Sequence, residues 1–390
     1  MPTTDEIIKD VRTNGGTHLD LSGRRLTRLR PAIRDLTTVT TLDLSDNRLT
    51  ALPAWIGDLT ALTEIRLDNN QLTALPDEIG ELVALQHLTA SRNQLRTLPD
   101  RMRDLAALTT LRLDGNELAT LPEWCADLRS LHTLTVEGNK LTRLPDTIGE
   151  CAALVELRAG NNLIHALPET ICDLGGLRTL LLDHNKIVAL PESIGKLSSL
   201  TGLLLNTNQL TALPASFADL VNLIGLSLGS NHFTEFPAQL RGCTALKRLY
   251  FTGMVSELPS WIGELTRLTE LDIRSSGRLT ELPESIGNLT ALTSLNLSGH
   301  ELATVPESIG RLCELETLDL SYNKLRSLPD SIGNLHALRA LYLDENLLTE
   351  LPESMQGLDR LQLVRARFNS FTGKPRVSAT TKVEAKPNRY

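Results

Sequence analysis

Residues 59–81 read LTALTEIRLDNNQLTALPDEIGE, and the same 23-residue frame recurs along most of the chain. Prolines stand at 53, 76, 99, 122, 145, 168, 191, 214 and 237, each 23 residues after the last. The frame extends to sixteen units centred on residues 24 to 369. Asparagine fills the same position in twelve of them: Asn47, Asn70, Asn93, Asn116, Asn139, Asn162, Asn185, Asn208, Asn231, Asn323, Asn346 and Asn369. Of 390 residues 81 are leucine and only 3% are aromatic, so the core is filled by one branched aliphatic in a repeated packing unit. The length alone allows two or three domains, but a fixed period of this kind predicts one array in which each unit touches only its neighbours.

Each part of the frame has a physical task. In Leu42-Asp43-Leu44, alternation along a strand sends the leucines inward and Asp43 outward. Asn47 follows where the chain turns inward, and its amide suits backbone groups that the turn leaves unpaired. Stacked asparagines then form a ladder, in which losing one strands a buried polar group at a cost of roughly 1–3 kcal/mol. The Leu-Pro pair ends the loop, since proline fixes φ and donates no hydrogen bond. The x-x-Ile-Gly-x-Leu that follows predicts a short helical or 3₁₀ turn on the outer face.

The ends differ from the middle. Residues 1–16 read as a capping segment whose helix spans TDEIIKDVRTN, with Thr4 as N-cap, Ile7, Ile8 and Val11 covering the first unit, and Gly15-Gly16 as its stop. The array occupies 17–371. Its first unit is degenerate, with Arg24 in the asparagine position, and its last presents Arg365 and Arg367, which would keep a terminal strand polar. Residues 372–390 carry five basic and one acidic side chain with little apolar content, which predicts a basic disordered tail. That tail is net +4 and leaves −12 for the remainder of a chain whose formal charge is −8. This balance argues against nucleic acid as the main partner. No apolar run reaches the length of a membrane span, and no Sec-type leader is visible at MPTTDEIIKD.

A period of 20–29 with L-x-x-L-x-L-x-x-N-x-L is the signature of leucine-rich repeats. The unit N-x-L-x-x-L-P-x-x-I-G-x-L resembles the intracellular class found in Ras-group scaffolds, Scribble-type proteins, Roco proteins and their bacterial counterparts. The resemblance covers 17–371. It implies an α/β solenoid curved as a horseshoe, with a parallel sheet on the concave face and helical or 3₁₀ turns on the convex face. It further implies a scaffold for another protein, often a small GTPase or a phosphatase, in intracellular signalling. A monomer in the cytoplasm is expected. The GTPase loop that follows Roco repeats, the catalytic domain of bacterial repeat-containing ligases and the cysteine-rich caps of extracellular relatives are all missing from the sequence. The alternative is a secreted bacterial effector that binds and blocks a host protein.

Partner contacts are expected on the concave row. In strand order it holds Asp20, Asp43, Arg66, Thr89, Arg112, Thr135, Arg158, Leu181, Leu204, Ser227, Tyr250, Asp272, Asn296, Asp319, Tyr342 and Arg365. Leu181, Leu204 and Tyr250 would be exposed, with Leu163 and Val255 beside them and Gly202, Gly225 and Gly229 giving low relief. Apolar groups among small and polar ones suit an interface core; scattered leucines are also ordinary surface. Tyr250, Tyr322 and Tyr342 belong to a residue type enriched at binding hot spots, and Phe368 repeats the Tyr322 position. Arg66, Arg92, Arg112 and Arg158 read either as receivers of an acidic segment or as a solvated surface balanced by Asp68, Asp114 and Glu156.

Units 11–13 break the frame. Met254 is read as replacing a ladder asparagine, Pro259 arrives after 22 residues, Pro283 after 24, and His300 replaces a further asparagine. Tolerated drift is the preferred reading, a shaped recognition site the alternative. Enzyme chemistry, cofactor and metal find no support. Cys125, Cys151 and Cys243 take apolar positions, Cys172 a glycine position, and Cys313 the outer face, without any C-x-x-C. The histidines are scattered singly, and Trp55, Trp124 and Trp261 share one outer position.

Overall fold

The first leucine of each Leu-x-Leu triplet is the centre of a three-residue strand whose end falls just before the second leucine, and each Pro-x-x-Ile-Gly segment forms a single 3₁₀ turn. The computed structural model describes residues 2–274, 278–373, 375–379 and 381–385. It falls into two compact units, Met1–Leu200 and Thr201–Tyr390.

The first unit opens with α1 (Thr4–Asn14) and continues through β1 (His18–Asp20), β2 (Thr41–Asp43), β3 (Glu64–Arg66), β4 (His87–Thr89), β5 (Thr110–Arg112), β6 (Thr133–Thr135), β7 (Glu156–Arg158) and β8 (Thr179–Leu181). Successive strands pair in parallel and keep their leucines in register, Leu42 opposite Ile65 and Leu111 opposite Leu134. The N-cap of α1 is Thr3 rather than Thr4. Its side chain accepts from the Glu6 N–H while Glu6 returns a bond to the Thr3 N–H, a capping box that leaves Thr4 inside the helix. Gly15, at φ +65°, ends it. Ile8 is buried, Ile7 and Val11 are half-buried, and Arg12 fastens the helix to the Ala32 carbonyl oxygen at 2.7 Å.

The second unit holds β9 (Gly202–Leu204), β10 (Gly225–Ser227), β11 (Arg248–Tyr250), β12 (Glu270–Asp272), β13 (Ser294–Asn296), β14 (Thr317–Asp319), β15 (Ala340–Tyr342), β16 (Leu363–Arg365) and β17 (Lys382–Glu384). All pair in parallel. β17 corrects the expectation of disorder over 381–385: an alternating Lys-Val-Glu segment pairs with β16, so β16 is not the edge of the sheet. The pairing satisfies backbone groups that a terminal strand leaves open, as the Ala366 N–H donates to the Glu384 carbonyl and the Lys382 N–H to the Gln362 carbonyl, both at 2.9 Å. Residues 374, 380 and 386–390 of that tail lie outside the described residues.

Opposite the strands, proline holds the extended conformation that precedes a 3₁₀ turn. Pro76 sits at φ −74°, ψ 152°, and its carbonyl accepts from the Ile79 N–H at 3.1 Å. Ile79 is buried beneath the turn. Between strand and turn run the asparagines. Asn139 donates to the Leu113 oxygen at 2.9 Å and the Val136 oxygen at 3.0 Å, and its Oδ1 accepts from the Leu118 N–H at 3.0 Å. In the second unit Asn346 makes the corresponding bonds to Leu320 O, Leu343 O and Leu325 N.

The irregular units are confined to the second body. The missing residue falls in the turn after β11, so the ladder position belongs to Gly253. Met254, whose N–H bonds to the Phe233 carbonyl as His232 does to Leu210, is displaced one place and points outward, 62% exposed. A Cβ on Gly253 would lie 3.1 Å from the Phe251 ring. Phe233, Phe236, Phe251 and Trp261 fill this stretch, with ring centroids 4.8–5.6 Å apart. His300 is buried, and its Nε2 meets the Ile273 oxygen at 2.5 Å, the bond an asparagine amide makes elsewhere. Strand register is kept through the break, Leu271 opposite Leu295, and residues 275–277 of the longer unit lie outside the described residues.

Candidate protein-binding faces

A strand of three residues turns its first and third side chains outward and buries the second. The third position is the row expected to meet a partner, and the two units present it differently.

In the first unit Arg66 and Arg158 are each held by the carboxylate two residues back on the same strand. Arg66 Nε lies 2.7 Å from Glu64 Oε1, and its Nη1 lies 3.4 Å from Asp43; Arg158 Nε lies 2.5 Å from Glu156. The bond to Glu64, with its charge, raises the Arg66 pKa further above its ordinary value. Asp68 and Asp114 form no direct ion pair with these arginines among the described residues, and their carboxylates are hydrogen-bonded to neutral donors instead. Asp68 accepts from the Thr89 hydroxyl and the Ser91 N–H, and Asp114 from the Thr135 hydroxyl at 2.7 Å and the Glu137 N–H at 2.8 Å. Arg112 has Thr110 where Arg66 and Arg158 have Glu64 and Glu156, and it stands exposed between Thr89 and Thr135. Leu181 is half-buried rather than exposed, since on a closely spaced parallel sheet Arg158 of the adjoining strand flanks it. Leu163 is exposed, and Arg92 holds a left-handed backbone at φ 55°.

In the second unit Leu204 is likewise half-buried, beside the buried Ser227. Val255 is not exposed at all: the one-residue deletion brings it into the buried leucine position of its repeat. Tyr250 is 37% exposed, and its hydroxyl donates to Glu270 at 2.6 Å, a bond that raises the phenol pKa above its usual value. The Arg365 guanidinium lies 4.9 Å from the centre of the half-buried Tyr342 ring. Tyr322, 59% exposed, and Phe368 occupy left-handed backbone at φ 57° and φ 60°, immediately before ladder asparagines. Asp46, Asn69, Gly115 and Gly138 occupy the same position with the same sign of φ, which suits Gly, Asn and Asp and strains an aromatic residue.

One group escaped the sequence reading. Asp344, almost wholly buried, lies 2.7 Å from Arg365 Nε and 2.8 Å from Arg367 Nη2, and also accepts from the Arg367 N–H. The only signal was an aspartate where the two preceding units carry Ser298 and Ser321.

The five cysteines are all free thiols. Burial pushes Cys151 up to about 11 and Cys243 up to about 12, and raises Cys125 and Cys172 in the same direction. Cys313 alone is exposed. A disulfide reagent under native conditions at pH 8 is therefore expected to titrate one thiol rapidly and the other four only on unfolding. Rapid reaction of two or more would contradict this burial. Trp124 is buried and donates to Asp100 at 3.2 Å. Among the described residues no cluster of His, Cys, Asp and Glu is arranged to hold a metal, and no helix is long and apolar enough to cross a membrane.

A strand, an asparagine rung and a 3₁₀ turn repeated every 23 residues define a leucine-rich repeat protein. The chain belongs to that family: the model of a leucine-rich repeat region matches residues 17–113, 77–180, 163–272 and 284–374. Among solved structures it is similar to a leucine-rich repeat protein of Leptospira interrogans, with 34% identity and a TM-score of 0.90 over 96% of this chain and 98% of that one. It is also similar to the plant peptide hormone receptor RGFR1 in complex with RGF2, at 28% identity and a TM-score of 0.69, covering 95% of this chain and 71% of the receptor. The Arabidopsis receptor kinase HAESA, in complex with the peptide hormone IDA and the co-receptor SERK1, gives 31% identity and a TM-score of 0.73, with 90% and 61% covered. No curated protein matches the sequence.

Proposed function

We propose that this chain is a non-catalytic scaffold that binds another protein, or an extended segment of one, through its strand faces. The observation that carries this reading is pre-organisation. Tyr250 is tied to Glu270, Arg66 to Glu64 and Arg158 to Glu156, and Tyr342 lies beside the Arg365 guanidinium. Tyrosine and arginine side chains already fixed in one geometry lose little further entropy on binding. The similar plant receptors were solved with peptide hormones bound, which supports a protein or peptide ligand here. By the resemblance of its repeats, the scaffold serves intracellular signalling as a cytoplasmic monomer, with a small GTPase or a phosphatase as its partner.

The test is affinity capture from lysate of the source organism, comparing wild type with a Leu181→Glu/Leu204→Glu/Tyr250→Ala variant. Hot-spot side chains are worth about 2 kcal/mol or more each, so a partner of wild type should be depleted at least ~30-fold on the variant. Half-burial of Leu181 and Leu204 leaves room for glutamate to turn outward, so the melting temperature should fall by only a few degrees. A partner captured equally by both proteins would refute these faces as the binding surface. No differential partner at all would shift the reading to a foreign host protein.

A further inference from the structure

The C-terminal strand sits where a ligand would. β17 pairs with β16 over all three of its residues, Lys382 to Glu384, with flanking bonds from Lys382 N–H to Gln362 O and from Ala366 N–H to Glu384 O, and the Thr381 hydroxyl donates to the Leu361 carbonyl at 2.8 Å. Val383, its inward side chain, is only half-buried, where the corresponding residue of every other strand is wholly buried, and Lys382 bonds Glu384 within the strand itself. This strand therefore buries less apolar surface against the sheet than the others do, and has less to oppose the conformational freedom that release would return to it, which places it at the low-stability end of the fold. Beneath it lies a site of definite chemistry. Glu384 stands in register with Arg365, close enough for its charge to act on both Arg365 and Arg367. The carboxylate that directly engages the two guanidinium groups is the buried Asp344, one acid shared by two bases. Removing β17 would leave an open strand edge, with the Ala366 N–H and the Gln362 carbonyl free, beside a cationic pair.

We propose that the outer edge of β16, with Arg365 and Arg367, is a strand-docking site for an extended segment of a partner protein that carries an aliphatic residue followed by a carboxylate, with residues 381–385 as its resident occupant. The chain's own Val383-Glu384 supplies the template for that sequence. Addition of a strand to a sheet edge draws affinity from main-chain bonds and selectivity from alternate side chains. Here selectivity comes from the carboxylate opposite Arg365. The site is separate from the Leu204 region of the strand face.

A fluorescent TKVEA peptide, matching residues 381–385, tests the proposal on the full-length protein. Lys382→Pro removes the N–H that bonds Gln362 and loosens the resident strand, so this variant should bind the peptide at least ~10-fold more tightly than wild type. Glu384→Gln, which keeps every backbone bond, should give an intermediate gain. A TKVQA peptide should bind Lys382→Pro at least ~5-fold more weakly than TKVEA, and adding Arg365→Gln should abolish that difference. Leu204→Glu should leave peptide binding unchanged, whatever it does to partner capture. Equal binding by wild type and both variants, or by both peptides, overturns the proposal. So does a wild-type dimer that Lys382→Pro dissociates, which would make a second copy's β17 the occupant.

Discussion

Asn139→Ala is expected to lower the unfolding free energy by about 2 kcal/mol, and the cost comes mainly from one backbone group. The Leu118 N–H loses Asn139 Oδ1, the acceptor 3.0 Å away. The carbonyls fare better, because each is served twice. Leu113 O accepts from Asn116 as well as Asn139, and Val136 O from Asn162 as well as Asn139. A single deletion therefore leaves every one of these oxygens a donor. Deleting two adjacent rungs does not: Asn116→Ala/Asn139→Ala removes both donors from Leu113 O. The double variant should lose about 1 kcal/mol more than the sum of the two single losses. Urea unfolding of the four proteins in the cycle measures this. Additive losses would show that the shared carbonyl is satisfied in another way. Partner capture by the folded Asn139→Ala protein should be unaltered, because its amide is buried behind the sheet.

This doubling also shows which parts of the molecule were legible in the sequence. A period of 23 residues with asparagine and proline at fixed offsets determines strand, rung and turn, because each is a local arrangement repeated against a copy of itself. What the sequence concealed depends on departures from the frame. The deletion near Met254 was visible, but not which turn absorbed it; aligning the proline and asparagine offsets alone put Met254 in the rung and Val255 on the surface. Backbone pairing decides otherwise, since Phe251 and Val255 must both reach the core and Gly253 is left at the rung. Composition misread the tail for a different reason. A low apolar content predicts disorder when a segment must form its own core, whereas Lys382–Glu384 needs only a strand edge already built by β16. The candidate site was half legible. The identity of the outward residues follows from alternation, but their counter-ions do not. Whether Arg66 bonds Glu64 or Asp68 turns on which carboxylate the neighbouring threonine and backbone N–H have already engaged.

Two glycine substitutions separate packing from surface in the same chain, and Gly80→Ala should be the more damaging of any pair drawn from the two classes. A Cβ on Gly80 would lie 2.1 Å from the Arg101 carbonyl oxygen and 2.6 Å from its carbon, both backbone atoms of the next 3₁₀ turn. Neither can swing aside as a flexible side chain would, so adjacent turns must separate. The buried Ile79 and Met102 beneath them would lose contact. Overpacking of a rigid site costs typically 1–3 kcal/mol and occasionally more, and about 3 kcal/mol is expected here. Gly202 offers the contrast, since nothing lies within 4 Å of a Cβ built there. On strand β9 alanine loses less backbone entropy than glycine, so Gly202→Ala should leave stability unchanged or raise it by up to about 1 kcal/mol. Thermal and urea unfolding of the two variants decide the point, and a Gly80→Ala protein as stable as wild type would mean that neighbouring turns approach less closely than this. The binding consequences should run the other way. Gly202 shares the strand of Leu204, where a larger side chain would stand beside the leucine and shield it. Gly202→Leu should then weaken partner capture without loss of stability, whereas Gly80→Ala should change stability and leave the affinity of the folded fraction as it was.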